Sequence, residues 1–541
     1  VQGDAPGTRQ RGAASRRARR VSRNPRRLRG APAPLVDGWT ACAAAALAGA
    51  AHAMSFAPSE FWWLQLIATG VLVALLADAP PGTAAGRAWA FGFGWLATGF
   101  WWLYISLHVY GFLPSWLSAL AVGVLAALLA IYYAVAGYLW ARLRRGRPVV
   151  DALLFAACWL LAELARGSFL TGFPWIAGGY AHTSGPLSLW APYVGVYGIG
   201  ALAAWISAAV ALVLLKLRGR QLRSPLFTLS PLLLPVAVLA LGAALPQAFT
   251  RSTGMLSVSL LQPNVAQNDK FEQSHIDQAL AWHVARFNAA PGQLVVTPES
   301  SLPVLPDQIP RDTWLAYQHP FNAPGKAALV GVFTGDDEHG YTNSLVGLDA
   351  THHMTDGTFY RYGKRHLLPF GEFVPPGFRW FVDMMKIPIG DQAKGVDTAS
   401  FVVGAQRVRP LICYEDLFGE EFAASMVGPQ AATLLANSTN LAWFGKRMIQ
   451  DQHLQFSRMR ALEFQRGQVR ATNTGATAVI DWHGNVTARL PPEIEGELDA
   501  SVEGRIGDTP YAIWVSQWRL WPLWGLALAL ICASLLVPRR D

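Results

Sequence analysis

The chain has 541 residues, of which 52% are apolar and 22 are tryptophan. That is too apolar for an ordinary soluble protein and points to a membrane protein, with Trp favoured where the ring is buried and the indole N–H stays wet. The formal charge of +9 does not point to nucleic acid, because ten arginines lie in residues 1–30 and the remainder is close to balanced, with no aromatic platform beside that charge.

Residues 1–36 are basic and rich in Pro, Gly and Ala, which predicts a disordered cytoplasmic arm that holds the first span in place. The chain opens at Val1 rather than Met, so its natural start is expected elsewhere. Apolar runs of about 20 residues, the length that spans a bilayer, occur near 38–55, 61–78, 88–107, 114–141, 149–165, 190–215 and 226–248, with an eighth near 520–537. The first run is Ala-rich and ends in Ala51-His52-Ala53, so it reads either as a span or as a signal-peptide cleavage site.

Lys and Arg in short loops stay on the cytoplasmic side. Arg142, Arg144, Arg145 and Arg147 follow the fourth run, Lys216, Arg218, Arg220 and Arg223 the sixth, and Arg539 and Arg540 the eighth. The loops Ser55 to Glu60 and Leu107 to Pro114 hold neither residue. This alternation predicts both termini inside and a large outer domain, in the periplasm of a Gram-negative cell. The expected organisation is an arm over 1–36, seven spans over 37–249, the outer domain over 250–515, and a C-terminal span with its cytoplasmic tail over 516–541. Glu163 and Arg166, at the outer end of the fifth run, read either as a functional ionisable pair or as an i,i+3 pair closing a helix end.

In the outer domain, strand patterns are expected at Leu256 to Leu261, Leu294 to Thr297, Ala328 to Phe333, Ser344 to Leu348, Arg407 to Ile412, Ala432 to Ala436 and Ala476 to Asp481. Helical patterns cover Ser274 to Ala289 and Gln450 to Gly467, and this alternation predicts an α/β layered domain. Phe373 to Ile389 carries aromatics and Met with no clear period, and reads either as core packing or as a membrane-facing lid that Trp443 and Phe444 would join. Asp336, Asp337 and Glu338 read as a hairpin turn.

Cys42, Cys158 and Cys532 fall in apolar runs, which leaves Cys413 as the one cysteine of the outer domain. A lone cysteine in an oxidising compartment is either a buried hydrophobe or a nucleophile. In RPLICYED it ends a β-run, where α/β active sites tend to lie, and Glu299 ends another in LVVTPES. Lys364, in YGKRHLLPFGEF, is followed eight residues later by Glu372. A carboxylate can deprotonate a thiol, and an ammonium both lowers a thiol's pKa and stabilises the oxyanion formed on carbonyl attack.

Several segments resemble the carbon–nitrogen hydrolase (nitrilase) superfamily, specifically its apolipoprotein N-acyltransferase branch. They are LTGFPW at Leu170 to Trp175, PES at Pro298 to Ser300, YGKRHLLPFGEFVP at Tyr362 to Pro375, ICYED at Ile412 to Asp416, AWFGK at Ala442 to Lys446 and MRALE at Met459 to Glu463. The resemblance runs from about residue 38 to the C-terminus and excludes the arginine arm. It implies a polytopic α-helical membrane domain of about eight spans, plus an α/β, nitrilase-like αββα sandwich on the outer face. It further implies Glu299 as general base, Lys364 as stabiliser of the tetrahedral intermediate and Cys413 as nucleophile. Glu372 would orient Lys364, and Tyr414 and Glu415 would support the nucleophile, with the Tyr414 backbone N–H as an oxyanion donor. Trp443, Phe444, Phe271 and Trp175 would contact substrate. Phe271, Thr297 and Leu441 depart from residues common in the family, which bears on acyl-chain or head-group preference.

The activity implied is transfer of an acyl chain from a glycerophospholipid, by resemblance the sn-1 chain of phosphatidylethanolamine, through a Cys413 thioester. The acceptor is the α-amine of a lipoprotein's N-terminal diacylglyceryl-cysteine. No cofactor or metal is expected, since His352 and His353 lie in a polar, turn-like stretch without a ligand-type cluster. Two rivals are a membrane-tethered amidase or nitrilase that passes the acyl group to water, and a transporter with a sensor domain. Few charges in the middles of the spans, and no Gly/Pro-broken pair in matching halves, count against the transporter.

Overall fold

The computed structural model describes residues 38–218, 225–267, 270, 272–380 and 391–540; the arginine arm, Phe271, Arg220, Arg223 and positions 381–389 of the apolar segment lie outside the described residues. Each of the eight apolar runs contains a helix: Gly38–Ala53, Trp62–Leu76, Pro81–Gly99, Ser115–Leu143, Pro148–Ser168, Ala191–Arg218, Pro225–Ala244 and Trp521–Leu536. Among the described residues, three helices are long and apolar enough to cross a membrane by themselves: Ser115–Leu143, Pro148–Thr171 and Pro186–Arg218. Pro510–Trp518 and Trp521–Leu536 form a pair bent by 91°. Trp62–Leu76 falls short because its 15 residues rise only about 22 Å, against a hydrocarbon core of about 30 Å.

Pro81–Gly99 is less apolar because its glycines serve packing instead. A Cβ on Gly94 would lie 2.0 Å from the Ala46 carbonyl oxygen, and one on Gly49 would lie 2.0 Å from that of Phe91. The helices Gly38–Ala53 and Pro81–Gly99 therefore meet backbone to backbone, as small residues allow in membrane bundles. Ala51-His52-Ala53 is part of that first helix, with His52 fully buried. The arginines between helices close helix ends: Arg144 donates to the carbonyls of Leu76 (3.0 Å) and Ala79 (3.2 Å), and Arg145 to that of Ser534 (3.0 Å).

From residue 251 the chain builds two six-stranded mixed sheets. The strands are β1 Arg251–Gln262, β2 Leu294–Val296, β3 Ala327–Asp336, β4 Gly340–Leu348, β5 Tyr360–Gly363, β6 Phe401–Val403, β7 Gln406–Ile412, β8 Leu434–Thr439, β9 Gly467–Thr472, β10 Ala478–Ile480, β11 Val486–Arg489 and β12 Gly496–Ile506. The orders are β12-β1-β2-β3-β4-β5 and β11-β10-β9-β8-β7-β6, with β1, β2 and β3 parallel in one and β7, β8 and β9 parallel in the other. Strand side chains alternate between faces, so Val258, Leu260 and Leu329 of one sheet pack on Val408, Ala436 and Val469 of the other. On the outer face of the first sheet, Val295, Val330 and Val346 pack on Phe287 of helix Gln273–Ala289 and on Trp314 of helix Arg311–Gln318. On the second, Leu411 and Leu435 share a cluster with Phe456 and Met459 of helix Met448–Phe464 and with the apolar helices. The layers are thus helix, sheet, sheet, helix.

All seven expected strands are present, as are both expected helices and the β3–β4 turn. Five strands had no clear signal. The helical pattern expected to run to Gly467 ends at Phe464, and Gly467 instead opens β9, GQVRAT, whose apolar pattern is broken by Gln468 and Arg470. Both are fully buried and donate to Asp416, each at 3.0 Å, which is what makes a polar strand tolerable at the centre of a sheet. β12 is polar because most of it is only half-buried at a sheet edge, paired only with β1.

Candidate active site

Four candidate side chains stand just beyond the C-terminal ends of parallel strands or their neighbours, where the loops leaving both sheets converge. Glu299 follows β2, Lys364 follows β5, Cys413 follows β7 and Asn440 follows β8. The Glu299 loop lies flat on β3 because Gly331 has no side chain: a Cβ there would be 2.1 Å from the Pro298 carbonyl oxygen. Cys413 opens a short 3₁₀ turn with φ of 50°, a left-handed conformation that costs a non-glycine residue about 1–2 kcal/mol. Glu415 holds that turn, accepting from the Ile412 N–H (2.7 Å), the Tyr362 hydroxyl (2.8 Å) and the Arg365 N–H (2.7 Å). One buried carboxylate thereby ties the Cys413 turn to the segment carrying Lys364.

Lys364, 1% exposed, donates to Glu372 Oε1 at 2.7 Å and Glu299 Oε1 at 3.2 Å. Burial alone would depress its pKa, but the two carboxylates outweigh burial and hold it well above the usual lysine value, so it stays an ammonium. Cys413 is 8% exposed. Burial first, then the negative charge of the Glu299 carboxylate, pushes its thiol well above the ordinary value, against the pull of Lys364. Cys413 therefore rests as a thiol with a carboxylate near it.

The residues named from the sequence are largely brought together. Glu299, Lys364, Glu372 and Cys413 share one site, and Tyr414 and Glu415 stand directly behind it. Tyr414 donates to the Gly172 carbonyl at 3.1 Å, which ties the site to the LTGFPW loop. Trp443, 38% exposed, stacks edge-on with Tyr110, and Phe444 does so with Trp102. Trp175 is different: it is 3% exposed and donates to Gln452 Oε1 at 2.7 Å, so it is packed between the apolar helices and helix Met448–Phe464 rather than on an open surface. Thr297 and Leu441 are likewise buried, and Thr297 Oγ1 accepts from the Gly331 N–H at 2.9 Å. Glu163 and Arg166 form a fully buried pair at 3.4 Å, in which Glu163 also accepts from the Gly178 N–H and Arg166 donates to the Phe173 and Trp175 carbonyls. The pair braces the LTGFPW loop. Phe370 and Phe378 of the apolar segment and its approach are half exposed and meet edge to face.

Three residues of the site carried no motif. Asn343 donates to Glu299 Oε1 at 2.7 Å, and the Asn440 N–H donates to Glu299 Oε2 at 2.9 Å. Lys270 donates to Ser300 Oγ at 2.8 Å, and burial lowers its ammonium to about 8 although Glu299 opposes the shift. The available signals were a polar residue inside the β4 run for Asn343 and a polar residue at a strand's C-terminal end for Asn440. Among the described residues no cluster of His, Cys, Asp or Glu could hold a metal ion.

Family models match in two blocks: the apolipoprotein N-acyltransferase N-terminal domain over residues 48–209 and carbon-nitrogen hydrolase over residues 257–511. Apolipoprotein N-acyltransferases with similar sequences include those of Ralstonia nicotianae, 47% identical over 88% of this chain and 90% of that protein, and Verminephrobacter eiseniae, 48% identical over 88% and 92%. That of Bordetella bronchiseptica is 40% identical over 89% of this chain and 94% of its own. Among solved structures, a carbon-nitrogen hydrolase superfamily protein from Xanthomonas campestris aligns over 50% of this chain and 96% of its own, with 18% identity and a TM-score of 0.35. With relatives matched across nearly their whole length and both family models in the expected order, the chain belongs to the apolipoprotein N-acyltransferase family, a membrane branch of the carbon-nitrogen hydrolases.

Proposed function

We propose that this chain completes bacterial lipoprotein maturation by a two-step acyl transfer. The observation that carries the reading is the shared, buried placement of the Cys413 thiol, the Glu299 carboxylate and the Lys364 ammonium. Glu299 takes the thiol proton as sulfur attacks the ester carbonyl of a glycerophospholipid, with the sn-1 chain of phosphatidylethanolamine as donor. The oxyanion is stabilised by Lys364 and by the Tyr414 backbone N–H. Collapse breaks the ester C–O bond, the Glu299 proton goes to the departing glycerol oxygen, and a thioester and a lysophospholipid result. The α-amine of the acceptor's diacylglyceryl-cysteine then attacks the thioester, its proton passes to Glu299, and the thiolate leaves and is reprotonated. Glu372 keeps Lys364 in place and takes no part in proton transfer.

Membrane embedding fits this chemistry, because both substrates keep their chains in the bilayer and present their reacting atoms at its surface. In this reading eight helices cross the inner membrane, the domain over 250–515 is periplasmic, and both termini are cytoplasmic. Incubating purified protein with acyl-labelled phospholipid should place hydroxylamine-labile label on the wild type and none on Cys413→Ala; label retained by that variant would remove Cys413 as nucleophile. Adding a diacylated lipopeptide should move the label to the peptide, whereas release of free fatty acid alone would favour a hydrolase. An impermeant maleimide should reach Cys413 from the outer side of oriented vesicles; labelling from the inner side only would reverse the orientation.

A further inference from the structure

Beside the catalytic centre lies a cavity of about 790 Å³, a size that accepts a small ligand or a lipid's polar region. One wall is aromatic and aliphatic, with Trp101, Ile105 and Tyr110 contributed by the connection between helices Pro81–Gly99 and Ser115–Leu143. The opposite wall belongs to the outer domain and includes Gln267, Lys446, Arg447 and Glu493. Gln267 connects the cavity to the chemistry: its Oε1 accepts from Asn440 Nδ2 at 2.9 Å, and the Asn440 N–H donates to Glu299 at 2.9 Å.

The charges on the polar wall do not balance. Lys446 is paired with Glu493 at 3.3 Å, an exposed contact that is readily exchanged for another partner. Arg447 is exposed, and among the described residues its guanidinium has no carboxylate or hydrogen-bond acceptor. The polar wall therefore carries two cations and one carboxylate, in a cavity whose other side is apolar. That combination suits a ligand with a phosphodiester at one end and hydrocarbon at the other, since a guanidinium fork matches two phosphate oxygens.

We propose that this cavity binds the phosphodiester and glycerol backbone of the acyl donor, with Arg447 and Lys446 on the phosphate and Trp101, Ile105 and Tyr110 against the glycerol and first chain carbons. The inference rests on the acyl-transfer reading and adds to it that the donor is recognised through its phosphate. A phosphate-free ester such as diacylglycerol, equally able to acylate a thiol, is then a poor donor.

The test uses the full-length protein in mixed micelles and follows thioester formation on Cys413 from phosphatidylglycerol and from diacylglycerol of the same chains, with no acceptor present. Wild type should prefer the phospholipid. In K446Q/R447Q the ratio of the two second-order rate constants for acylation should fall by about tenfold, the order expected for losing one charge-assisted hydrogen bond at an exposed site. Arg447→Lys, which keeps the charge but not the fork, should fall between the two. An unchanged ratio in the double variant, or a parallel loss for both donors, overturns the phosphate site. Failure of the acyl-transfer reading looks different: no thioester from either donor, or a thioester that survives Cys413→Ala.

Discussion

Asn343 Nδ2 donates to Glu299 Oε1 at 2.7 Å, and the same nitrogen lies 3.3 Å from Glu372 Oε1. A strand residue thus bridges two carboxylates that also share the Lys364 ammonium. The carboxylates differ in their second oxygens: that of Glu372 accepts from the Leu368 N–H at 2.8 Å, and that of Glu299 from the Asn440 N–H at 2.9 Å. Glu372 is clamped within its own loop, whereas Glu299 is held by groups from three separate elements around the thiol. Replacing Asn343 by Leu should lower the rate of thioester formation by about tenfold or more, because a small displacement of a base is costly in rate. Steady-state kinetics with unchanged far-UV circular dichroism would check it.

Glu299→Gln should separate nucleophile reactivity from catalysis. The Glu299 charge raises the Cys413 pKa, so its removal lowers that pKa while Lys364 continues to favour the thiolate. Acyl transfer should fall by about a hundredfold or more for want of a base, yet iodoacetamide should alkylate the variant faster than wild type at pH 8. In wild type the raised thiol pKa makes the thiolate fraction climb with pH through and beyond the ordinary thiol value of about 8.5. Alkylation should therefore accelerate with pH across that range, and a plateau near neutrality would contradict the assignment.

Glu415→Gln should act through the nucleophile's turn. A carboxylate accepts from every donor around it, whereas an amide turns its NH₂ toward donors such as the Ile412 N–H. The left-handed Cys413 backbone then loses its brace, and thioester formation should drop by about a hundredfold. Unlike Glu299→Gln, this variant should also lose alkylation rate.

Gln452→Leu tests the seam between the apolar helices and the outer domain. Gln452 Oε1 accepts from the indoles of Trp175 (2.7 Å) and Trp102 (3.1 Å), while its Nε2 donates to the Gly99 carbonyl (2.9 Å). Leucine would leave these buried groups unpaired, at a cost of about 3 kcal/mol. Thermal unfolding in detergent should show a lower midpoint, with the thioester still formed at temperatures well below it.

The sequence by itself determined the eight apolar helices and the α/β character of the outer domain, and it singled out Glu299, Lys364, Cys413 and Glu372 as candidates. Each of these is written locally, as an apolar run, as a strand with its exit loop, or as a motif within a dozen residues. Tertiary structure alone decided the partners. Asn343 and Asn440 reach Glu299 from 44 and 141 residues away, and no periodicity records such distances. It also decided that Trp175 is buried on Gln452 rather than open to substrate, and that the polar strand β9 lies at the centre of a sheet. A polar side chain looks the same in sequence whether it faces water or a buried partner, and only the fold supplies Asp416 to Arg470 or Glu299 to Asn343.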